Sequence, residues 1–481
     1  MSEQKSKYTI SVFTLTMLCV ATVMSLRGLP LMASEGMPMF FYIIFSAFFF
    51  LVPVSLVCAE LATGWPSSGG IYRWVKEAFG ENIAFVTVWL QWSANVVWYP
   101  TILAFAAGSL AYLFLDKSLA SNKYFNIAII LIFYWMSTLI CLRGIKVAGK
   151  ISSIGVILGT LIPGILIIAL GIAWITMGNP IEILKGGAVE GVSSFFPDFK
   201  NFNTISTLAV IVFLFTGMEV GAVHVTSIKN PRKNYPIAVF SAMFLIIIIY
   251  AIASFCVAIV MPLADIRLDL NAGLMAGFSD LFKAFSLDWM LPIMGLFITF
   301  GSLACVIAWV GGPCKSVLAA AVDGTVPPFL KKKNKNDVPV NILIIQGISV
   351  SILSMVFLFM PTVSSAYFIL AMLTAAPYMI MYMILYASAL RLRYTQPDVS
   401  RSYKVPGGKV GMWIICGVGM IAILFALVLE FFPPNDLPVG GSVFYVSFLS
   451  ILTILFVLTP FIMIIFKKPH WKKHHSDNEQ E

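Results

Sequence analysis

A stretch of about twenty apolar residues can cross a lipid bilayer only as a helix, because the bilayer offers its backbone no other hydrogen-bond partners. This sequence repeats such stretches along its whole length, as in Phe40–Val57 and Ala242–Val260. Apolar residues follow one another in them without alternation. A transmembrane barrel needs apolar and polar residues to alternate in segments of about ten. Composition points the same way, with 59% hydrophobic and 11% charged residues, against roughly 45–50% and 25% in soluble domains. A soluble enzyme and a disordered chain are both excluded. The expected fold class is an all-α integral membrane protein.

Twelve transmembrane helices are expected, near 8–33, 38–62, 82–115, 124–143, 148–177, 204–228, 234–261, 287–321, 340–360, 364–391, 410–432 and 443–466. Placing both termini in the cytoplasm puts 24 of the 31 Lys and Arg residues on cytoplasmic segments and six on outer ones. That is the asymmetry the positive-inside rule asks for. The net charge of +9 is thus spread over seven loops and ends, and a nucleic-acid partner is not expected. The first run could be mistaken for a signal peptide with Met32-Ala33-Ser34 as its cleavage site, but it continues through an internal Arg-Gly-x-Pro break, so the helix is expected to be retained. The tail, Trp471–Glu481, is short and polar and is expected to be disordered. The seven cysteines form no CxxC or Cys/His cluster and read as small packing residues. No catalytic residue, metal ligand or cofactor is expected.

Two places combine helix breakers with charge at membrane depth. They are Met24-Ser25-Leu26-Arg27-Gly28-Leu29-Pro30 in span one and Phe215-Thr216-Gly217-Met218-Glu219-Val220-Gly221 in span six. A lone Gly or Pro marks a kink. Two breaks in corresponding members of two five-helix halves mark a transporter's substrate site, where half-helix ends meet charged ligand groups. Arg27 and Glu219 are the charges there, with Glu60 near the cytoplasmic end of span two. Arg27 can grip a substrate carboxylate in a bidentate pair or pair with Glu219. Glu219 can bind a substrate amine, carry a coupling proton, or hold the broken helix together. His224 lies five residues beyond Glu219; a structural role is the plainer reading, and proton sensing the sharper one. Phe213, just before the second break, is either a lid over the site or core.

The segment Ala59-Glu60-Leu61-Ala62-Thr63-Gly64-Trp65-Pro66-Ser67-Ser68-Gly69-Gly70-Ile71-Tyr72-Arg73-Trp74 resembles the signature after the second span of amino acid–polyamine–organocation (APC) superfamily transporters. So do Gly217-Met218-Glu219 and Asn230-Pro231-Arg232-Lys233-Asn234-Tyr235-Pro236. Within the superfamily the chain is most similar to the glutamate:GABA antiporter branch, through Phe195-Phe196-Pro197-Asp198-Phe199, His224-Val225, Val338-Pro339-Val340 and Val405-Pro406-Gly407-Gly408-Lys409. The resemblance covers nearly the whole chain. It implies a LeuT-type fold, a 5+5 inverted repeat over 8–177 and 204–391, plus two extra helices over 410–466, flanked by cytoplasmic ends at 1–7 and 467–481. It places Ser25, Leu26, Gly28, Thr216 and Gly217 around the substrate, Phe213 near the gating aromatic, and Glu60 with Gly69-Gly70 at the cytoplasmic hinge. The first break departs from the pattern, reading Ser-Leu-Arg-Gly where many members are Gly-rich and the glutamate:GABA exchangers lack an Arg.

The implied function is secondary active transport by alternating access, an exchange of an amino acid for another or for its decarboxylated amine, in a bacterial cell inner membrane. Protons are a further candidate partner, beside the lipid bilayer itself. A proton- or sodium-coupled amino-acid symporter on the same fold is the main alternative. An intramembrane enzyme or a channel is remote, since the sequence holds no H-x-x-E-H, G-x-S-x-G or P-loop motif and no continuous polar lining.

Overall fold

The computed structural model describes residues 11–66, 69–184, 194–200, 202, 205–221, 228–434, 438–468 and 471. Among them the chain is helical, and ten helices are long and apolar enough to cross a membrane. These are α3 (Pro38–Gly64), α5 (Glu81–Leu113), α6 (Lys123–Leu142), α7 (Val147–Thr176), α9 (Pro231–Val260), α11 (Leu291–Val322), α12 (Val340–Phe359), α13 (Val363–Thr395), α14 (Gly408–Leu429) and α15 (Ser442–Ile465). The two remaining expected spans are the interrupted ones. The first divides into α1 (Val12–Val23) and α2 (Gly28–Ala33), separated at 24–27. The other starts as α8 (Thr207–Leu214) and loses its helix at 215–217 before a single tighter turn at 218–221. His224 falls outside the described residues, as do His470, His474, His475 and most of the tail.

Sequence accounts for the irregularities. Pro53 and Pro163 have no amide to donate to the preceding turn, and each follows a widened turn, at Ser46–Leu51 and Ile157–Leu161. Extra backbone in such a turn absorbs the missing bond. Buried hydroxyls inside spans return their protons to the carbonyl one turn back, as Ser109 does to Phe105 and Thr374 to Leu370, so they cost little.

Two helices form the middle of the molecule. The most apolar stretch of α5 is 94% buried and that of α13 is 83% buried, whereas α15 is only 17% buried and lies at the rim. Close crossings depend on small residues. Gly155 and Gly159 of α7 meet Ala304 and Gly301 of α11 so tightly that a Cβ on Gly159 would stand 2.2 Å from the Gly301 Cα.

Short helices outside the spans were not expected from apolar runs. The helices α4 (Ile71–Phe79) and α10 (Gly273–Ala284) are amphipathic or too short to register as spans. In α4, Ile71, Trp74, Val75 and Ala78 are buried while Arg73 is exposed. The seven cysteines are all free, and six are buried with Cys305 half-buried.

Candidate functional site

Backbone groups freed at the two breaks are taken up by tyrosines from other helices. The Tyr250 hydroxyl of α9 accepts from the Ser25 amide at 3.0 Å and donates toward the Val23 carbonyl at 2.9 Å, with the Leu214 carbonyl at 3.3 Å. One side chain therefore serves both broken helices. On α13, Tyr367 donates to the Arg27 carbonyl at 3.2 Å, and the Tyr382 hydroxyl accepts from the Gly217 amide at 2.9 Å. Gly217 has φ +117°, and a Cβ there would lie 2.7 Å from the Thr22 carbonyl. Glycine is required both by that backbone angle and by the approach of one break to the other.

Between the breaks lies a cavity lined by Ala21–Ser25 and Arg27 of the first, Phe213, Leu214 and Thr216 of the second, Asn95 and Trp98 of α5, Cys305 and Trp309 of α11, and Tyr378 of α13. Its empty space is about 460 Å³, counting the part open to solvent. Arg27 is the only charged residue among the described residues of this lining, and it is 3% exposed. One guanidinium nitrogen donates to the Thr101 hydroxyl at 3.0 Å, the Tyr367 hydroxyl is a second hydrogen-bond neighbour of the side chain, and Nε has no partner among the described residues. The rings of Trp98 and Phe213 face the guanidinium at 5.6 and 6.0 Å, a distance at which a ring face attracts a cation. Phe213 also packs edge-on against the Tyr378 ring at 5.8 Å.

Glu219 lies close by but is held separately. Tyr378 donates to one carboxylate oxygen at 2.8 Å, Tyr382 donates to the other, and the Gln91 amide donates at 3.2 Å. This fully buried carboxylate is satisfied by three neutral donors and forms no ion pair with Arg27. Of the two roles open to Arg27 in the sequence, pairing with Glu219 is absent from this arrangement.

The other expected site residues are dispersed. Ser25 and Thr216 line the cavity with Arg27 and Phe213. Leu26 lines a smaller neighbouring cavity with Ile102, Phe105 and Thr160. Gly28 faces Leu214, where a Cβ would meet the leucine Cδ1 at 2.7 Å. Glu60 sits at the far end of α3, clasped by Arg393 through two nitrogens, with the Val405 amide donating at 2.8 Å and the Arg401 guanidinium paired by charge alone at 3.7 Å. The clasp joins α3 to the end of α13 and the segment after it.

Sequence reading missed the residues supplied by unbroken helices: Gln91, Asn95, Trp98, Thr101, Tyr250, Tyr378 and Tyr382. A signal existed. Gln91, Asn95 and Trp98 are spaced i, i+4, i+7, and Tyr378 and Tyr382 are spaced i, i+4, so each set shares one face of an otherwise apolar helix. Each set also lies beside an in-helix proline, Pro100 or Pro377.

Comparison with known proteins agrees with this architecture. A family model described as amino acid permease matches residues 10–458. A protein of Legionella pneumophila subsp. pneumophila (strain Philadelphia 1), described as an uncharacterized transporter, is 39% identical over 465 residues, covering 97% of this chain and 98% of that one. The glutamate/gamma-aminobutyrate antiporter of Lactococcus lactis subsp. lactis (strain IL1403) is 32% identical over 476 residues, covering 98% of this chain and 92% of that one. The crystal structure of MhsT in complex with L-phenylalanine superposes with a TM-score of 0.56 at 16% identity, covering 88% of this chain and 99% of that one, which speaks for the fold alone. The chain is a multi-pass membrane protein of the amino acid permease family, within the APC superfamily.

Proposed function

We propose that this protein is an amino acid antiporter of the glutamate/gamma-aminobutyrate type, working by alternating access in a bacterial inner membrane with both termini cytoplasmic. Twelve spans fit this reading, arranged as two inverted five-helix repeats over 8–177 and 204–391 with two further helices over 410–466. The observation that carries the amino-acid reading is Arg27, a buried cation facing a cavity between two broken helices with no carboxylate partner among the described residues. Because the glutamate:GABA exchangers lack that Arg, the glutamate/gamma-aminobutyrate choice rests on overall similarity. A buried charge needs a counter-charge, and a substrate carboxylate supplies one in the bidentate geometry that guanidinium favours. Ser25 and Thr216 then offer hydroxyls to the substrate's polar atoms, and Phe213 and Trp98 close over the guanidinium. The 32% identity to the lactococcal antiporter supports the choice of substrate. Glu219 holds the unwound stretch after α8 to α13, with Leu26, Gly28 and Gly217 shaping the breaks and Glu60 fixing the hinge.

The test is uptake of labelled glutamate into proteoliposomes loaded with glutamate, with gamma-aminobutyrate, or with nothing. Exchange predicts uptake only into loaded vesicles. Loss of one charge-assisted contact of roughly 1.5–3 kcal/mol predicts that Arg27→Gln weakens glutamate binding by about 10- to 100-fold. Proton-coupled symport has one observation in its favour, the buried intramembrane carboxyl of Glu219. It predicts uptake into empty vesicles under a proton gradient, abolished in Glu219→Gln.

A further inference from the structure

A guanidinium keeps its proton at any physiological pH, so Arg27 carries its charge through every step of a transport cycle. Ring faces of Trp98 and Phe213 meet that charge, but no carboxylate among the described residues pairs with it. Its hydrogen-bond neighbours among the described residues are neutral hydroxyls: Thr101, whose own proton goes to the Trp98 carbonyl at 2.7 Å, and Tyr367, whose proton goes to the Arg27 carbonyl. Nε has no partner among the described residues, and the oxygens of the nearby carboxylate, Glu219, are committed to Tyr378, Tyr382 and Gln91. While the cavity is open to one side, water can solvate the guanidinium. Passing to the other side requires an occluded state in which that water is gone, and a lone buried cation is then costly. A carboxylate in the cavity removes the penalty. A diamine adds like charge beside Arg27 and enlarges it.

We infer that Arg27 makes a carboxylate the obligatory passenger in both directions, so that this residue is what forbids return of the empty carrier and thereby imposes exchange. The inference rests on the carboxylate grip proposed above and adds to it. Arg27 acts here on the barrier between the two faces, beyond its part in affinity. It also sets the class of counter-substrate: amino acids and amino-carboxylates are accepted on the return leg, and diamines are refused.

The experiment measures labelled glutamate uptake at clamped membrane potential into vesicles holding glutamate, gamma-aminobutyrate, putrescine or nothing. The wild type is expected to fill the first two at least about tenfold faster than the last two. Arg27→Gln, assayed at glutamate concentrations that saturate it, should fill empty and loaded vesicles within about twofold of each other. Arg27→Lys keeps the charge and should keep the dependence on luminal carboxylate. The inference is overturned if the wild type fills empty or putrescine-filled vesicles at the loaded rate, or if Arg27→Gln retains the tenfold ratio. It is equally overturned if Arg27→Gln binds glutamate but crosses neither loaded nor empty, since removing the charge must lower the empty barrier. Should Arg27→Gln fail to purify as a monodisperse protein, Arg27→Met is read in its place, and the wild-type panel already decides the diamine half. Equilibrium binding of labelled glutamate separates the two readings: an unchanged Kd in Arg27→Gln sinks the carboxylate grip, whatever the vesicles show.

Discussion

Glu60 is 2% exposed and sits between two guanidinium groups, Arg393 at 8% and Arg401 at 7%. Replacing it with Gln keeps the volume and removes the only negative charge among them. Arg393 exchanges its two bonds to a carboxylate for at most one to a neutral amide oxygen, faces an NH2 donor in place of the other oxygen, and keeps the Val405 carbonyl at 3.1 Å. Arg401 is better protected, with the carbonyls of Leu392 and Gln396 at 3.0 and 2.7 Å and the Trp65 ring beneath it. The loss is therefore concentrated on one arginine. Breaking a buried pair from one side costs about 3–5 kcal/mol, and a pair at about 4 Å in an effective dielectric near 20 is worth about 4 kcal/mol. Both routes lead to about 4 kcal/mol. At about 2 °C per kcal/mol for a large chain, Glu60→Gln should melt roughly 5–10 °C below the wild type in detergent. The double variant Glu60→Gln with Arg393→Met should recover much of that loss, because the orphaned cation is gone. A single variant melting within about 2 °C of the wild type would show that water reaches the clasp and refute the reasoning.

Tyr382→Phe removes both a donor to Glu219 and the acceptor for the Gly217 amide, whereas Tyr378→Phe leaves Gln91 on the oxygen it vacates. Unsatisfied buried groups cost about 1–3 kcal/mol each, so Tyr382→Phe should be the less thermostable of the two; the reverse order contradicts the assignment. Gly159→Ala forces a methyl against the Gly301 backbone and Gly149→Ala meets nothing within 4 Å. The first should lose about 1–3 kcal/mol or more to overpacking and the second nothing, which melting curves compare directly. Asp269, in the loop before α10, is pushed above its usual carboxylate range by burial and by the charge of Asp265. An acid with a raised folded value stabilises the fold as pH falls through that value, and the gain is lost above it. Asp269→Asn should therefore melt higher than the wild type at neutral pH, by a margin that closes on acidification. A margin constant with pH refutes this.

Charge and helix breakers make both interruptions visible in the sequence, because few physical reasons exist for Arg27-Gly28 or Gly217-Met218-Glu219 in the middle of an apolar run. What those charges touch was hidden. Arg27 and Glu219 read as natural partners when each is the one charge in its broken span. Their separation depends on Tyr378 and Tyr382, which lie about 160 residues from Glu219 along the chain and look like ordinary aromatics in a span. Apolar runs likewise located the long helices but not α4, whose burial rests on Ile71, Trp74 and Val75 facing one way. Gly28 shows the converse difficulty: its position at the break was plain, but only the approach of Leu214 reveals that it packs the two halves together.

The Tyr250 hydroxyl has one proton and stands between the carbonyls of Val23 and Leu214. Mechanically it is a common pivot. An interrupted helix that swings away alone leaves its own carbonyl without the Tyr250 donor, so the pair is favoured to tilt as one lever carried by α9. A disulfide engineered within that pair should then leave transport running, whereas one tying either member to α5 or α11 should arrest it.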